Sequence, residues 1–433
     1  MAGADITVVV LIVIGFGLVA RRLNRWNVSA PMLFLAAGAL VFGLGAGLPV
    51  AAPEVHLLAE ITLVLVLFHD ASTVRLRALR SDAALPIRLL LIGFPLAVAM
   101  TFAVTTTMFP ALGVAGAVLI AAAITPTDAG LGAPTVLNPE VPIRIRRVLN
   151  VESGLNDGLA TPIVLFALSA LAVAEERAEN PLLEMALYPV LVGLALGVVV
   201  ALVCAAGLDW SHRKGASSAR SRTVVMLAVP LLAFGLAEML EANVFIAAFV
   251  AGLVFGAACR TQRSEPAVAE LLETTTDLMG YLVWFLAGGL LVSVLTAGFQ
   301  WQWLVLAVLA LTVLRMVPVA LVLIGSGLDW RSVAFIGWFG PRGLATVIFS
   351  LLAVETLGTD NPVIDTTAGV LSMVVLLSVF GHGVSAGPWA RRYGAWVSRH
   401  PDLPEAAVSA HPAVRGGIGR GTDAEPIENG KRP

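Results

Sequence analysis

The chain has 433 residues, 58% hydrophobic and only 13% charged, with a formal net charge of −2 and two cysteines. So few charges cannot keep that much apolar surface apart in water, two cysteines build no disulfide scaffold, and a near-neutral chain offers nothing to a polyanion, so no nucleic-acid partner is expected. The apolar residues come in runs of roughly 16 to 25, the length of a helix that crosses a bilayer, and the chain reads as an all-α polytopic membrane protein.

Thirteen runs follow one another at 6–20, 30–48, 57–70, 86–108, 111–128, 148–173, 186–207, 223–240, 243–258, 278–298, 302–325, 332–354 and 363–388. They are rich in Leu, Val and Ala and lack the alternation of a barrel strand. The first follows Asp5 rather than a basic segment, and Arg21 and Arg22 stand where a cleavage site would be, so it reads as a retained span. Of the 27 Lys and Arg, only Arg177 falls after an even-numbered run, among Glu175, Glu176, Glu179 and Glu184, while Arg315 and Arg342 fall inside runs and Arg88 at the opening edge of the fourth, counted with the connection before it. The others gather after the odd-numbered runs and in the C-terminal segment. The positive-inside rule then puts the N-terminus outside and the C-terminus in the cytoplasm. A transmembrane domain is expected over 1–398 and a flexible cytoplasmic tail over 399–433, where Pro, Gly and charge replace the apolar pattern. Short loops and an N-terminus unlike a transit peptide point to the plasma (cell) membrane.

Runs 1–6 (about 6–173) and 8–13 (about 223–388) form two six-helix sets around a connector at about 186–207. The fifth run of each set is interrupted alike: Pro126 precedes Thr127 and Asp128 in one, and Pro341 precedes Arg342 and Gly343 in the other. Broken helices at matching places, with an odd connector between them, predict two inverted repeats whose fifth helices unwind and cross. The freed ends need partners. An Asp suits the positive N-terminal end of a half-helix, and an Arg the negative C-terminal end.

Ionisable residues within spans are costly and mark a pathway or a paired site. The densest group is in the sixth run, where Ser153 and Asp157 share one helical face by i, i+4 spacing and Glu152 and Asn156 the adjacent stripe. Their oxygens are hard ligands suited to an alkali cation, and no thiolate or imidazole accompanies them. Gly154 and Gly158 are expected to let a facing backbone, the broken fifth helix being one candidate, approach closely, so that Thr127 and Asp128 complete a cage with Asp157 and Ser153 for a transient alkali cation. Arg315 needs a counter-charge, and Glu152 is the expected one, forming a structural ion pair. Asp157 then takes either a cation or a proton, the minimum machinery for exchange. Arg342 is expected to compensate the broken-helix ends.

Glu60, Glu238, His69 and Asp70 are either lining of an access funnel or edge and packing groups, and His382 reads as a packing histidine. Gly43-x-x-x-Gly47 and Gly193-x-x-x-Gly197 fit close helix contacts.

Over residues 5–390 these motifs resemble the monovalent cation:proton antiporters, and within them the sodium/proton exchanger branch. Glu152-Ser153-x-x-Asn156-Asp157 resembles that family's ion-binding helix, Thr127-Asp128 its broken helix, Arg315 the arginine that pairs with the glutamate, and Arg342-Gly343 the second broken helix. The resemblance implies thirteen helices in inverted repeats, a dimerisation and a core domain, a homodimer, and elevator-like alternating access. The Asn-Asp form implies electroneutral exchange of one cation for one proton, with no cofactor. The family's usual order is Thr-Asp-Pro, whereas here Ala129 follows Asp128 and the proline is at 126, so the break is expected about a turn earlier. The expected activity is Na+/H+ antiport, with Li+ as a further substrate and K+/H+ antiport of the same fold as the alternative. A channel is disfavoured by the paired breaks. An intramembrane aspartyl enzyme built on Asp128 and Asp157 leaves the Glu–Arg pair without a use.

Overall fold

The computed structural model describes residues 3–45, 53–74, 84–136, 138–176, 182–358 and 361–406. The expected tail beyond 406 and the connection holding Arg177 and Glu179 lie outside them. Among the described residues there is no strand. The first three helices are α1 (Gly3–Arg25), α2 (Ala30–Gly43) and α3 (Pro53–Thr73). Next, α4 (Ala84–Arg88) runs through a π-helical turn at Leu89–Gly93 into α5 (Phe94–Met108), followed by α6 (Gly113–Ile124), α7 (Ala129–Val136), α8 (Ile143–Glu176) and α9 (Leu182–Arg213). The rest are α10 (Ala219–Met239), α11 (Val244–Ala258), the short α12 (Arg260–Ser264), α13 (Glu270–Gly298), α14 (Trp301–Leu311), α15 (Val313–Val322), α16 (Trp330–Trp338), α17 (Leu344–Leu357) and α18 (Pro362–Ser398).

Nine helical stretches among the described residues are long and apolar enough to cross a bilayer, joined by three shorter apolar helices, α2, α11 and α17. The chain is a multi-pass membrane protein. The helix breaks at the end of the fifth apolar run, between α6 and α7, and within the twelfth, between α16 and α17. The eleventh run also divides, at Thr312 between α14 and α15. Helix starts carry their own caps, since the side chains of Ser218, Asn243, Asp329 and Asn361 accept from backbone N–H groups of α10, α11, α16 and α18.

Hydrophobic burial cannot drive helices together in lipid, so close backbone packing carries much of the association. Small residues permit it. A side chain on Gly38 of α2 would strike the Phe285 carbonyl of α13, and one on Gly288 would strike that of Leu35. Gly252 and Gly256 of α11 meet the carbonyls of Phe68 and Ser72 on α3 in the same way. Gly193 and Gly197 of α9 face Asn243 and α11 within the same chain, so that spacing is consumed internally.

Two expectations need correcting. Gly154 does not admit the broken helix: it faces the Asp70 carbonyl and Val74 of α3, and Gly158 faces the ring of Phe249 on α11. Helical azimuth decides this, because Gly154 and Gly158 lie about 100° and 140° round α8 from Ser153 and so turn to other neighbours of the helix. The first residues of the expected tail are also docked. Glu405, in a 3-10 turn at Pro404–Ala406, is fully buried and accepts from Ser332 Oγ and the Asp329 N–H at the start of α16.

Gly252→Val is expected to cost about 1–3 kcal/mol or more by forcing α3 and α11 apart, read as a lower Tm in a detergent thermal scan. Gly235→Ala, whose added carbon meets nothing within 4 Å, should leave Tm unchanged or slightly higher.

Candidate functional site

The two breaks face each other. Residues 125–128 separate α6 from α7, and 339–343 separate α16 from α17. Each break exposes carbonyls at the end of one half-helix and N–H groups at the start of the next, in a region where no water replaces the missing bonds. Asp128 serves both N-terminal ends. Its Oδ1 accepts from the Leu131 N–H of α7 and its Oδ2 from the Leu344 N–H of α17, each at 2.7 Å. Arg342 serves the C-terminal end of α6 and the backbone of the second break. Its Nε donates to the Ile124 carbonyl of α6 at 2.6 Å and its Nη1 to the Gly340 carbonyl just after α16. One backbone bond, from the Asp128 N–H to the Pro341 carbonyl at 2.7 Å, joins the breaks directly. Pro126 sits inside the first break, with Asp128 as the cap of the half-helix that follows.

Beside this crossing runs α8. Its Pro162 withholds an N–H from the carbonyl of Gly158, and the Thr161 hydroxyl donates to the carbonyl of Asp157 at 2.7 Å. Ser153 Oγ lies 2.8 Å from Thr127 Oγ1, which also accepts from Asn156 Nδ2 at 2.7 Å. The break thus delivers a threonine hydroxyl to the α8 face that bears Ser153, with Asp157 one turn on and only 5% exposed. Asn156 Oδ1 is buried without a hydrogen-bond partner. Glu152, on the neighbouring stripe, holds the Arg315 guanidinium through both oxygens, with Nη2 to Oε2 at 2.8 Å. Arg315 Nη2 also reaches the Ile336 carbonyl of α16 at 3.4 Å. Gly340 makes room for this, since a carbon added there would stand 2.9 Å from both Arg315 Cζ and Thr127 Cγ2.

The structure therefore gathers Thr127, Ser153 and Asn156 in one hydrogen-bonded group, pairs Glu152 with Arg315, and sets Asp128 and Arg342 at the helix ends. His69 and Asp70 are buried in α3 with Nδ1 to Oδ1 at 3.2 Å, and Glu60 meets His56 at 3.3 Å. His382 of α18 packs against Trp338, its Nε2 2.9 Å from that residue's carbonyl. Two supports carry no sequence signal beyond being small hydroxyls in apolar runs. Ser378 Oγ accepts the Arg342 N–H at 2.6 Å, and Thr346 Oγ1 donates to the Ala123 carbonyl at 2.9 Å.

An Na+/H+ antiporter of Schizosaccharomyces pombe is 28% identical over 305 residues, covering 64% of this chain and 65% of its own length. One of Saccharomyces cerevisiae is 25% identical over 277 residues, 59% of this chain and 27% of its own. This chain thus spans less than two thirds of the fungal relatives it matches. An uncharacterised Na+/H+ exchanger of Mycobacterium tuberculosis is 27% identical over 402 residues, covering 85% of this chain and 71% of its own length. The fold is that of the sodium proton antiporter MjNhaP1 from Methanocaldococcus jannaschii, with a TM-score of 0.72, 18% identity, and 90% and 99% of the two chains covered. The pattern of the family described as sodium/hydrogen exchanger, transmembrane, matches residues 7–392, and the chain belongs to that family.

Proposed function

We propose that this chain is a secondary-active Na+/H+ antiporter in which Asp157 holds the cation and the proton in turn. The observation that carries this reading is the hydroxyl-lined face of α8 on which the buried Asp157 stands. Asp128 is committed to two helix N-termini and Glu152 to the Arg315 guanidinium. Neutralising either leaves helix ends or a buried cation unmatched. Asp157 lies one turn from Ser153, whose Oγ meets the Thr127 hydroxyl, and next in the chain to Asn156, whose Oδ1 is buried without a hydrogen-bond partner. These are hard neutral oxygens that ligate a small alkali cation without adding charge. Asp128, placed in the cation cage on sequence grounds, is better read as the lock that shapes the cage. A single carboxylate that exchanges one Na+ for one H+ carries the same charge both ways, so exchange is electroneutral.

The reading extends to thirteen crossings in two inverted repeats, residues 1–398 as the transport domain, an external N-terminus, a cytoplasmic C-terminus, the plasma membrane and a homodimer. The placement of basic residues supports the orientation. The paired breaks support the repeats.

In proteoliposomes with an imposed pH gradient, Na+ is expected to collapse the gradient without sensitivity to membrane potential, and Asp157→Asn to lose at least about 100-fold in rate, as for removal of an obligatory charged group. Normal exchange by Asp157→Asn would sink the single-carboxylate mechanism, and a response to K+ alone would sink the sodium assignment. Glu152→Gln should destabilise by about 3–5 kcal/mol by stranding Arg315, with part recovered in Glu152→Gln/Arg315→Gln. An additive double-mutant cycle, read by thermal unfolding, would refute a coupled pair. Gly343→Ala, whose methyl would land on the Asp128 carboxylate, should lower both Tm and exchange rate. Unchanged values for both would refute the lock.

A further inference from the structure

At the end of the bundle away from the basic connections, one histidine and three acids meet that the exchange site does not use. His56 lies in the first turn of α3, Glu355 in the last turn of α17 and Glu238 at the end of α10. His56 Nε2 is 3.3 Å from Glu60 Oε1 on its own helix, and its Nδ1 is 3.5 Å from Glu355 Oε2. Glu238 and Glu355 both act on Glu60 electrostatically. The side chains of His56, Glu60 and Glu355 are 24%, 18% and 43% exposed, so protons from solution reach them.

A neutral imidazole has one N–H. With carboxylates facing both ring nitrogens, the neutral ring must turn a lone pair towards one of them. Here Nδ1 is the nitrogen left over: it is buried without a hydrogen bond, and 3.5 Å is too long for a good one. Only the imidazolium gives each carboxylate a donor. The ring is therefore built to bridge α3 and α17 when charged and to hold only its own helix when neutral.

We infer that His56 is a proton-sensitive positioning residue for exchange: protonated, it ties Glu355 of α17 to Glu60 of α3, and deprotonated, it lets α17 go. The bridge matters because α17 is the half-helix whose first N–H is held by Asp128, so a fixed α17 restrains the crossing that shapes the cation cage. Any opening of the path at this end that parts α17 from α3 must break it. The inference rests on the exchanger reading, and it adds acid inhibition of a distinct kind. Competition between Na+ and H+ for one carboxylate is overcome by saturating Na+, whereas a tie between helices lowers the maximal rate at any Na+ concentration.

Two measurements test it on the full chain. In proteoliposomes at saturating Na+, the maximal rate of radioactive sodium uptake by the parent is expected to fall about five-fold or more between about pH 7.5 and about pH 5.5, the span over which imidazoles charge. His56→Gln and Glu355→Gln should keep most of their rate at the lower pH, with the parent's KM at the higher one. In detergent at the lower pH, amide hydrogen exchange across 344–357 should be faster in both variants than in the parent. If both variants retain the parent's acid loss and its amide protection, the bridge does not act and the inference falls. If the parent moves no Na+ yet loses amide protection in the variants, the bridge stands and the exchanger reading fails instead. Because Glu355 is less buried than His56, its variant keeps the test decisive should His56→Gln fold poorly.

Discussion

The crossing of two broken helices imposes one constraint on the molecule: four half-helix ends must be satisfied where lipid and protein exclude water. An unpaired backbone group in such surroundings costs several kcal/mol, and here they come in sets of opposite polarity. One carboxylate and one guanidinium meet the demand. Asp128 takes N–H groups from α7 and α17, and Arg342 gives to the carbonyl that ends α6 and to that of Gly340 in the second break. Charges that would be expensive alone become cheap here, because each is matched by the partial charges of backbone groups at the two breaks.

The constraint also builds the site. A continuous helix would spend the 125–128 backbone on its own ladder. The break turns Thr127 towards α8, where its hydroxyl joins Ser153 and Asn156. On the other side, the glycine at 340 leaves the space in which Arg315 reaches Glu152. The charges of Asp128, Arg342, Glu152 and Arg315 beside this group are thus each matched within the protein. The same arrangement couples the crossing to its neighbours, since α17 carries one of the N–H groups that Asp128 holds, and the tie proposed at the far end of α17 would reach the crossing through that helix.

Around the crossing, the scaffold is held by backbone contact. Glycines on α2, α11 and α13 let carbonyls of neighbouring helices approach to distances that any side chain would block. Such contacts are stiff and shape-specific, which gives the crossing a rigid frame to move against or rest on.

Much of this was legible in the sequence. Apolar runs long enough to cross a bilayer, their interruption at Pro126 and Pro341, and charges of opposite sign beside those prolines follow from composition and spacing alone. They follow because lipid leaves a chain so few ways to satisfy its backbone. The i, i+4 spacing of Ser153 and Asp157, and the need of a buried Arg315 for an acid, are equally local facts. Which surfaces meet was a different matter. That Gly154 and Gly158 back onto α3 and Phe249 rather than the break, that Gly193 and Gly197 serve α11 in the same chain, that Ser378 and Thr346 brace the crossing, and that Glu405 docks under α16 all depend on how each helix is rotated and tilted against distant ones. Sequence periodicity defines the faces of a helix, but only packing among all the helices decides what each face touches.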